Sequence, residues 1–222
     1  MRRIRGGVSV VIFLAFMQAF AGCGGGGGGG HKISPAQKVY TANILSDWYS
    51  DGDIGYLAGD PTPYIVTQGW DQGVSFLLFG FDANNDGREY RAFLTFPLDG
   101  AAGDAVPLSA SIESATLVVN IAGVDVSSVR VGLDLVEYIP GWLHSGDYSK
   151  PPLAIRSEFN LYDSDEGFDV AIDVTSLMIE AQAQALMDFQ VRFRVTNNFG
   201  LAAVEDEEYV AITAPMLVVR YY

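Results

Sequence analysis

The chain has a single cysteine, Cys23, and two histidines, His31 and His144. One thiol cannot close a disulfide within the chain, so stability must come from core burial or a bound metal. No H-E-x-x-H, C-x-x-C or G-x-S-x-G pattern occurs, which removes the commonest signatures of hydrolytic and redox catalysis. Basic residues are also few: 13 Lys plus Arg stand against 27 Asp plus Glu, a formal net charge of −14. Such a chain repels nucleic acid and anionic lipid headgroups. Beyond residue 22 no apolar run approaches the ~20 residues of a membrane-spanning helix. What remains is apolar (49%) and aromatic (12%), a composition that argues against disorder. Residues 23–222 suffice for one well-packed domain.

Met1-Arg2-Arg3-Ile4-Arg5 is followed by an apolar run from Val8 to Ala21, then Gly22-Cys23 and glycine from Gly24 to Gly30. A basic start, an apolar middle and a small-residue exit make residues 1–22 a signal peptide. Its ending at Gly22-Cys23 resembles a bacterial lipoprotein signal. That resemblance implies that Cys23 carries lipid (thioether-linked, with palmitate-type acyl chains) as the first residue of the processed chain. Two or more acyl chains make such anchoring stable. Gly24, rather than aspartate, follows the cysteine, which by the same resemblance implies outer-membrane or cell-surface display; the periplasmic face is the other option. Residues 23–37 read as a tether of roughly 20 Å average reach. Its glycines satisfy G-x-G-x-x-G trivially, without the flanking strand and helix that a dinucleotide site requires.

From residue 38 the pattern changes to alternation. Phe168, Val170, Ile172 and Val174 alternate with Asp169, Ala171 and Asp173. Residues 189–195, 114–121 and 129–136 alternate likewise, and 216–222 forms a last strand. A period of two predicts strands with one buried and one wetted face, and thus antiparallel sheets. Residues 75–81 and 89–96 predict a hairpin across the turn Asp82-Ala83-Asn84-Asn85-Asp86-Gly87, whose residues tolerate positive φ. A single short helix is expected over Leu177–Leu186, capped by Thr175 or Ser176. The expected fold is all-β: an antiparallel β-sandwich or jelly roll over 38–222 with one short helix.

Several segments carry a family resemblance in their order: Asp51-Gly52-Asp53-Ile54, Arg91 to Leu98, Ile112 to Leu117, Trp142, Ile172 to Leu177, and Ala214 to Val219. Together they resemble the DNRLRE domain, related to carbohydrate-binding module family 96. The resemblance implies a jelly-roll module of secreted or surface proteins that accompanies polysaccharide-active enzymes, and glycan as its ligand. It also gives Trp142 a structural position. The segment Val204 to Glu208 lacks the serine of the family's Ser-x-Glu stretch.

Candidate sites follow from residue chemistry. Asp82, Asn84 and Asp86, with Gly87, match the opening of a calcium loop, where alternate oxygen ligands point inward. The twelfth position is Phe93 rather than glutamate, so the segment reads first as a polar turn and second as a Ca2+ site. Asp51, Asp53 and Asp60 among glycines, Glu205 to Glu208, and Asp163, Asp165 and Glu166 read as solvated loops. Trp48, Tyr49, Tyr56, Tyr64, Trp70 and Trp142 sit in loop-like contexts. Trp48, Tyr49 and Trp70 are the first candidates for stacking on a sugar ring. His144 beside Asp147 could serve as a base, and Arg88 and Arg91 could neutralise a uronate.

The sequence therefore predicts a lipid-anchored surface protein with a non-catalytic β-sandwich that binds polysaccharide or another extracellular ligand. The alternatives are a structural or adhesion lipoprotein making protein–protein contacts and, third, a polysaccharide-active enzyme. The expected partners are the membrane, through lipid, and a polysaccharide; nucleic acid is not one.

Overall fold

The computed structural model describes residues 37–69, 75–156, 158–197, 200–206 and 214–222. Residues 37–222 form one unit. Cys23 and Trp70 lie outside the described residues, as do Glu207 and Glu208.

Strands occupy the segments where apolar and polar residues alternate. They are β1 (Tyr40–Leu45), β2 (Gly52–Tyr56), β3 (Tyr64–Gln68), β4 (Phe76–Phe81), β5 (Glu89–Pro97), β6 (Ile112–Val124) and β7 (Ser128–Val136). After these come β8 (Ala154–Ile155), β9 (Phe159–Tyr162), β10 (Asp169–Asp173), β11 (Asp188–Val195), β12 (Leu201–Glu205) and β13 (Met216–Tyr221). Every pairing among them is antiparallel. The protein is an all-β sandwich with a single α-helix among its described residues.

One sheet holds β1, β13, β6 and β10. The other is built on β12, β4, β5, β11 and β7, with β2 and β3 added at β5 and β8 and β9 at β7. β6 joins the two: its first half pairs with β13, and Ile121–Val124 pairs with β12. Between the sheets lies the core. Ile44, Leu117, Val119 and Val219 meet Phe79, Leu94, Phe96, Phe189 and Phe193. Burying each such side chain contributes about 1.5–3 kcal/mol of transfer free energy.

The helix α1 (Thr175–Ala183) buries Leu177, Met178 and Ala181 against this core. Neither expected cap operates. Asp173 Oδ1 accepts from the Thr175 amide at 3.0 Å and from its hydroxyl at 2.6 Å. The Thr175 hydroxyl oxygen in turn accepts from the Ala115 amide, which ties the helix start to β6. The helix ends at the left-handed Ala185 (φ 54°).

The expected hairpin of β4 and β5 pairs only beside its turn, at Gly80 with Tyr90 and Phe81 with Glu89. The rest of β4 pairs with β12, and β5 pairs with β2 and β11. Non-local partners win because they satisfy the backbone hydrogen bonds along the strand edges that a hairpin pairing alone would leave open.

The outer face of the second sheet is covered. Ile54, Phe93, Val136, Tyr138, Leu143 and Tyr148 form a second apolar cluster there. Arg192 fastens the covering segment. Its Nη2 lies 2.6 Å from Asp134 Oδ2, and Nη1 donates to the carbonyls of Asp147, Tyr148 and Lys150 at 2.9–3.2 Å. Residues 137–150 thereby become a fixed wall at one end of the sandwich.

Candidate functional site

Two turns meet at that end. The first, between β1 and β2, is closed by the Ser50 and Asp51 amides donating to the Asp47 carbonyl at 2.7 and 3.0 Å. Asp47 Oδ2 also accepts from the Ser50 hydroxyl at 2.6 Å. The turn is docked on β5 by the Asp47 amide, which donates to the Thr95 carbonyl. At its apex Trp48 is half-buried and Tyr49 is 53% exposed, with their rings edge-on at 5.9 Å. In the second turn the Trp142 amide donates to the Ile139 carbonyl at 3.0 Å. Gly141 (φ 71°) brings this turn against the Tyr49 ring; a Cβ at Gly141 would sit 3.4 Å from Tyr49 Cε1. Trp142 and Ile139 are each 67% exposed. The structural position expected for Trp142 is therefore not a packed one: its ring faces solvent beside Tyr49's turn.

Behind this ridge opens a cleft of about 460 Å³, walled by Ile139, Pro140 and Met187 and edged by Glu137, Lys150 and Asp188. Gln190 forms part of its lining, accepting from the Tyr138 amide at 2.8 Å through Oε1. Burial, then the neighbouring Asp99 and Asp47, raises the Asp188 carboxyl above its ordinary value. Tyr49 and Trp142 stand outside this lining; the turn that carries Trp142 supplies its Ile139 and Pro140 wall.

Beneath the ridge lies a buried polar layer. Thr95 Oγ1 and Tyr138 Oη share a hydrogen bond of 2.6 Å, and Asp51 Oδ1 accepts from the Thr95 amide at 2.6 Å. Asp51 and Asp53, expected in a solvated loop, are buried. Gly52 makes this possible, since a side chain there would meet the Thr67 carbonyl of β3. Asp53 Oδ2 accepts from the Leu78 amide at 2.9 Å, and burial pushes this carboxyl up to about 6. Asp60 lies 3.3 Å from Arg88 Nη2. Asp206, within the acidic run at the end of β12, is buried as well.

The other aromatic candidates group elsewhere. Tyr56 and Tyr64 pack with Tyr148, their rings tilted or edge-on with centroids 5.0–5.7 Å apart. The Arg91 guanidinium lies 3.9 Å above the Tyr148 ring and 3.0 Å from Glu89. A second hollow of about 370 Å³ opens beside Tyr56, Phe81 and Glu89. Here the rings face each other, which leaves less free surface than at Tyr49 and Trp142.

In the 82–87 turn, Asp82 Oδ1 accepts from the Asn84 and Asn85 amides at 3.3 and 3.0 Å. Asp86 Oδ1 accepts from the Arg88 amide, and its Oδ2 accepts from Tyr90 Oη at 2.6 Å and lies 3.5 Å from Arg88 Nε. Both carboxylates close the turn itself, and the Asn84 residue is exposed. Among the described residues no three acidic or histidine side chains gather to hold a metal. His144 Nδ1 accepts from the Gly146 amide, while Asp147 Oδ2 accepts from the His144 amide. The pair caps the short 3-10 turn Ser145–Ser149.

Gly69 couples the ridge to the sheet. It donates to the Asp51 carbonyl at 2.9 Å, and a Cβ on it would run into the Trp48 carbonyl oxygen. Gly69→Ala is expected to cost about 1–3 kcal/mol, as backbone overpacking does. It should also shift tryptophan emission, because the Trp48 turn must move. An unchanged denaturation midpoint together with an unchanged spectrum would contradict this placement.

No known protein family matches the chain. No curated protein matches it either.

Proposed function

We propose that this protein is a lipid-anchored, non-catalytic binding protein whose sandwich holds glycan along the Tyr49–Trp142 ridge and the adjoining cleft. The carrying observation is the exposure of two aromatic rings on touching turns beside a concavity with polar edges. A ring presents a flat apolar face to the C–H face of a sugar, and Glu137, Asp188 and Lys150 are placed for its hydroxyls. Two acids against one base at the rim favour a neutral polysaccharide over an acidic one. The resemblance to carbohydrate-binding module family 96 supports the same reading. No helix among the described residues is long and apolar enough to cross a membrane. The lipoprotein-like signal ending at Gly22-Cys23 supports attachment through lipid on Cys23.

Affinity electrophoresis of the full-length protein through gels containing neutral or acidic polysaccharides tests this. Retardation by a neutral glycan is expected, and Tyr49→Ala and Trp142→Ala should each weaken it about 3–10-fold. No retardation by any polysaccharide, with the fold intact, removes the proposal. A second reading is protein–protein adhesion, which the exposed Leu108 and Met187 on a hollow with Val106 and Pro107 favour. Self-association abolished by Leu108→Asp but not by Trp142→Ala would select it. Anchoring has its own test: Cys23→Ala should move the protein from the detergent phase to the aqueous phase.

A further inference from the structure

Three oxygen-bearing side chains from separate parts of the chain face one another under the ridge. Ser46 follows β1, Asp51 ends the β1–β2 turn and Asp206 follows β12. Their main chains are fixed: the Ser46 amide donates to the Pro215 carbonyl at 2.9 Å, the Asp51 amide to the Asp47 carbonyl, and the Asp206 amide to the Ser75 carbonyl at 3.1 Å. Asp51 is 0%, Asp206 3% and Ser46 9% exposed. Ser46 Oγ, Asp51 Oδ2 and Asp206 Oδ2 are shut off from solvent and have no partner outside their own group among the described residues. Yet each carboxylate acts on the other, and the Ser46 hydroxyl lies against both. No lysine, arginine or histidine is among the groups acting on either acid; the further neighbour is Asp47, another carboxylate.

Adjacent buried carboxylates without a counter-charge are costly, and unpaired buried oxygens add to that cost. Their arrangement is complete once a cation sits among them. All three donors are oxygens, which select a hard ion rather than zinc or copper. We infer that Ser46 Oγ, Asp51 Oδ2 and Asp206 Oδ2 form a calcium site, supplying three of the six to eight oxygens that Ca2+ takes. The ion staples the turn carrying Trp48 and Tyr49 to the end of β12. This site is separate from the 82–87 turn, whose carboxylates are already engaged, and it stands whether or not the ridge binds glycan.

The test is thermal unfolding of the full-length protein stripped with chelator, then titrated with CaCl2 or MgCl2. Calcium at a hundred times its Kd should raise the midpoint by roughly 5–10 °C, with magnesium less effective. Asp51→Asn and Asp206→Asn should abolish the rise. Asn84→Ala should leave the calcium response unchanged. A wild-type midpoint indifferent to about 10 mM calcium, well above the Kd of extracellular modules, overturns the inference. So does a response lost in Asn84→Ala but kept in Asp51→Asn. Should one aspartate variant fail to fold, the wild-type titration and the other variant decide.

Discussion

Arg192→Met is expected to lower the unfolding free energy by about 3–5 kcal/mol, the range for breaking a buried ion pair. The guanidinium and Asp134 are almost fully buried, at 4% and 1% side-chain exposure. Removing the cation leaves Asp134 with only Arg194, 3.2 Å away at the edge. The Lys150 carbonyl loses its donor at the same time, and the carbonyls of Asp147 and Tyr148 keep only the Lys150 amide and Arg91 Nη1. For a domain of this size the loss corresponds to roughly 6–20 °C in midpoint. Lysine cannot substitute, because one ammonium group cannot span Asp134 and three carbonyls at once. Arg192→Lys should therefore recover little, whereas Arg192→Met with Asp134→Leu should recover part by removing the stranded charge. Chemical denaturation checks this. A loss below about 1 kcal/mol would mean that the pair adds no more than a surface pair does.

Acidification should stabilise the calcium-free protein. Burial pushes the Asp53 and Asp206 carboxyls up to about 6, and Asp51 is driven well above the usual carboxylate range by burial and then by Asp206. In the unfolded chain such groups release their protons near 3.8. Between these values the folded state holds more protons than the unfolded one, so unfolding free energy falls as pH rises. The displacement at Asp53 alone corresponds to roughly 3 kcal/mol. Further down, Asp173 opposes the trend, since its hydrogen bonds from Thr175 hold it below its ordinary value. In excess chelator the midpoint should climb from about pH 8 to about pH 5 and turn over below about pH 4. Asp53→Asn should flatten the climb. A midpoint that is level or falling over the upper interval would contradict the burial of these acids.

The same residues explain where sequence reading succeeds and where it stops. Alternation placed β6, β7, β10 and β11 within a residue or two at most ends, because each turns apolar residues toward the core, although Phe168, the first of the β10 row, is 66% exposed. Phe189, Val191, Phe193 and Val195 are buried as their spacing implies. The intervening Gln190 and Arg192 were expected in water and are 2% and 3% exposed. Alternation reports that a face is polar; it does not report that residues 137–150 lie over it. Asp51, Asp53 and Asp206 escaped for a related reason. An acid between glycines looks solvated, and only the strands brought across it by non-local pairing bury it. At the ridge, the polar neighbours of Trp48 and Tyr49 mark loop aromatics, and Tyr49 is indeed exposed while Trp48 is half-buried. The resemblance gives Trp142 a structural position, whereas its turn meets the Tyr49 ring across some ninety residues of chain, which no local pattern records.

The order of strands also bears on when this sandwich can close. β1 pairs with β13 alone, in register from Tyr40 with Tyr221 to Leu45 with Met216. β13 is also the neighbour that β6 needs on its other edge. Synthesis makes β1 early and β13 late, so until nearly the whole polypeptide exists β1 has only the 102–104 segment on its other edge. A chain that stops short of β13 therefore leaves both β1 and one edge of β6 uncovered, and should not close its first sheet.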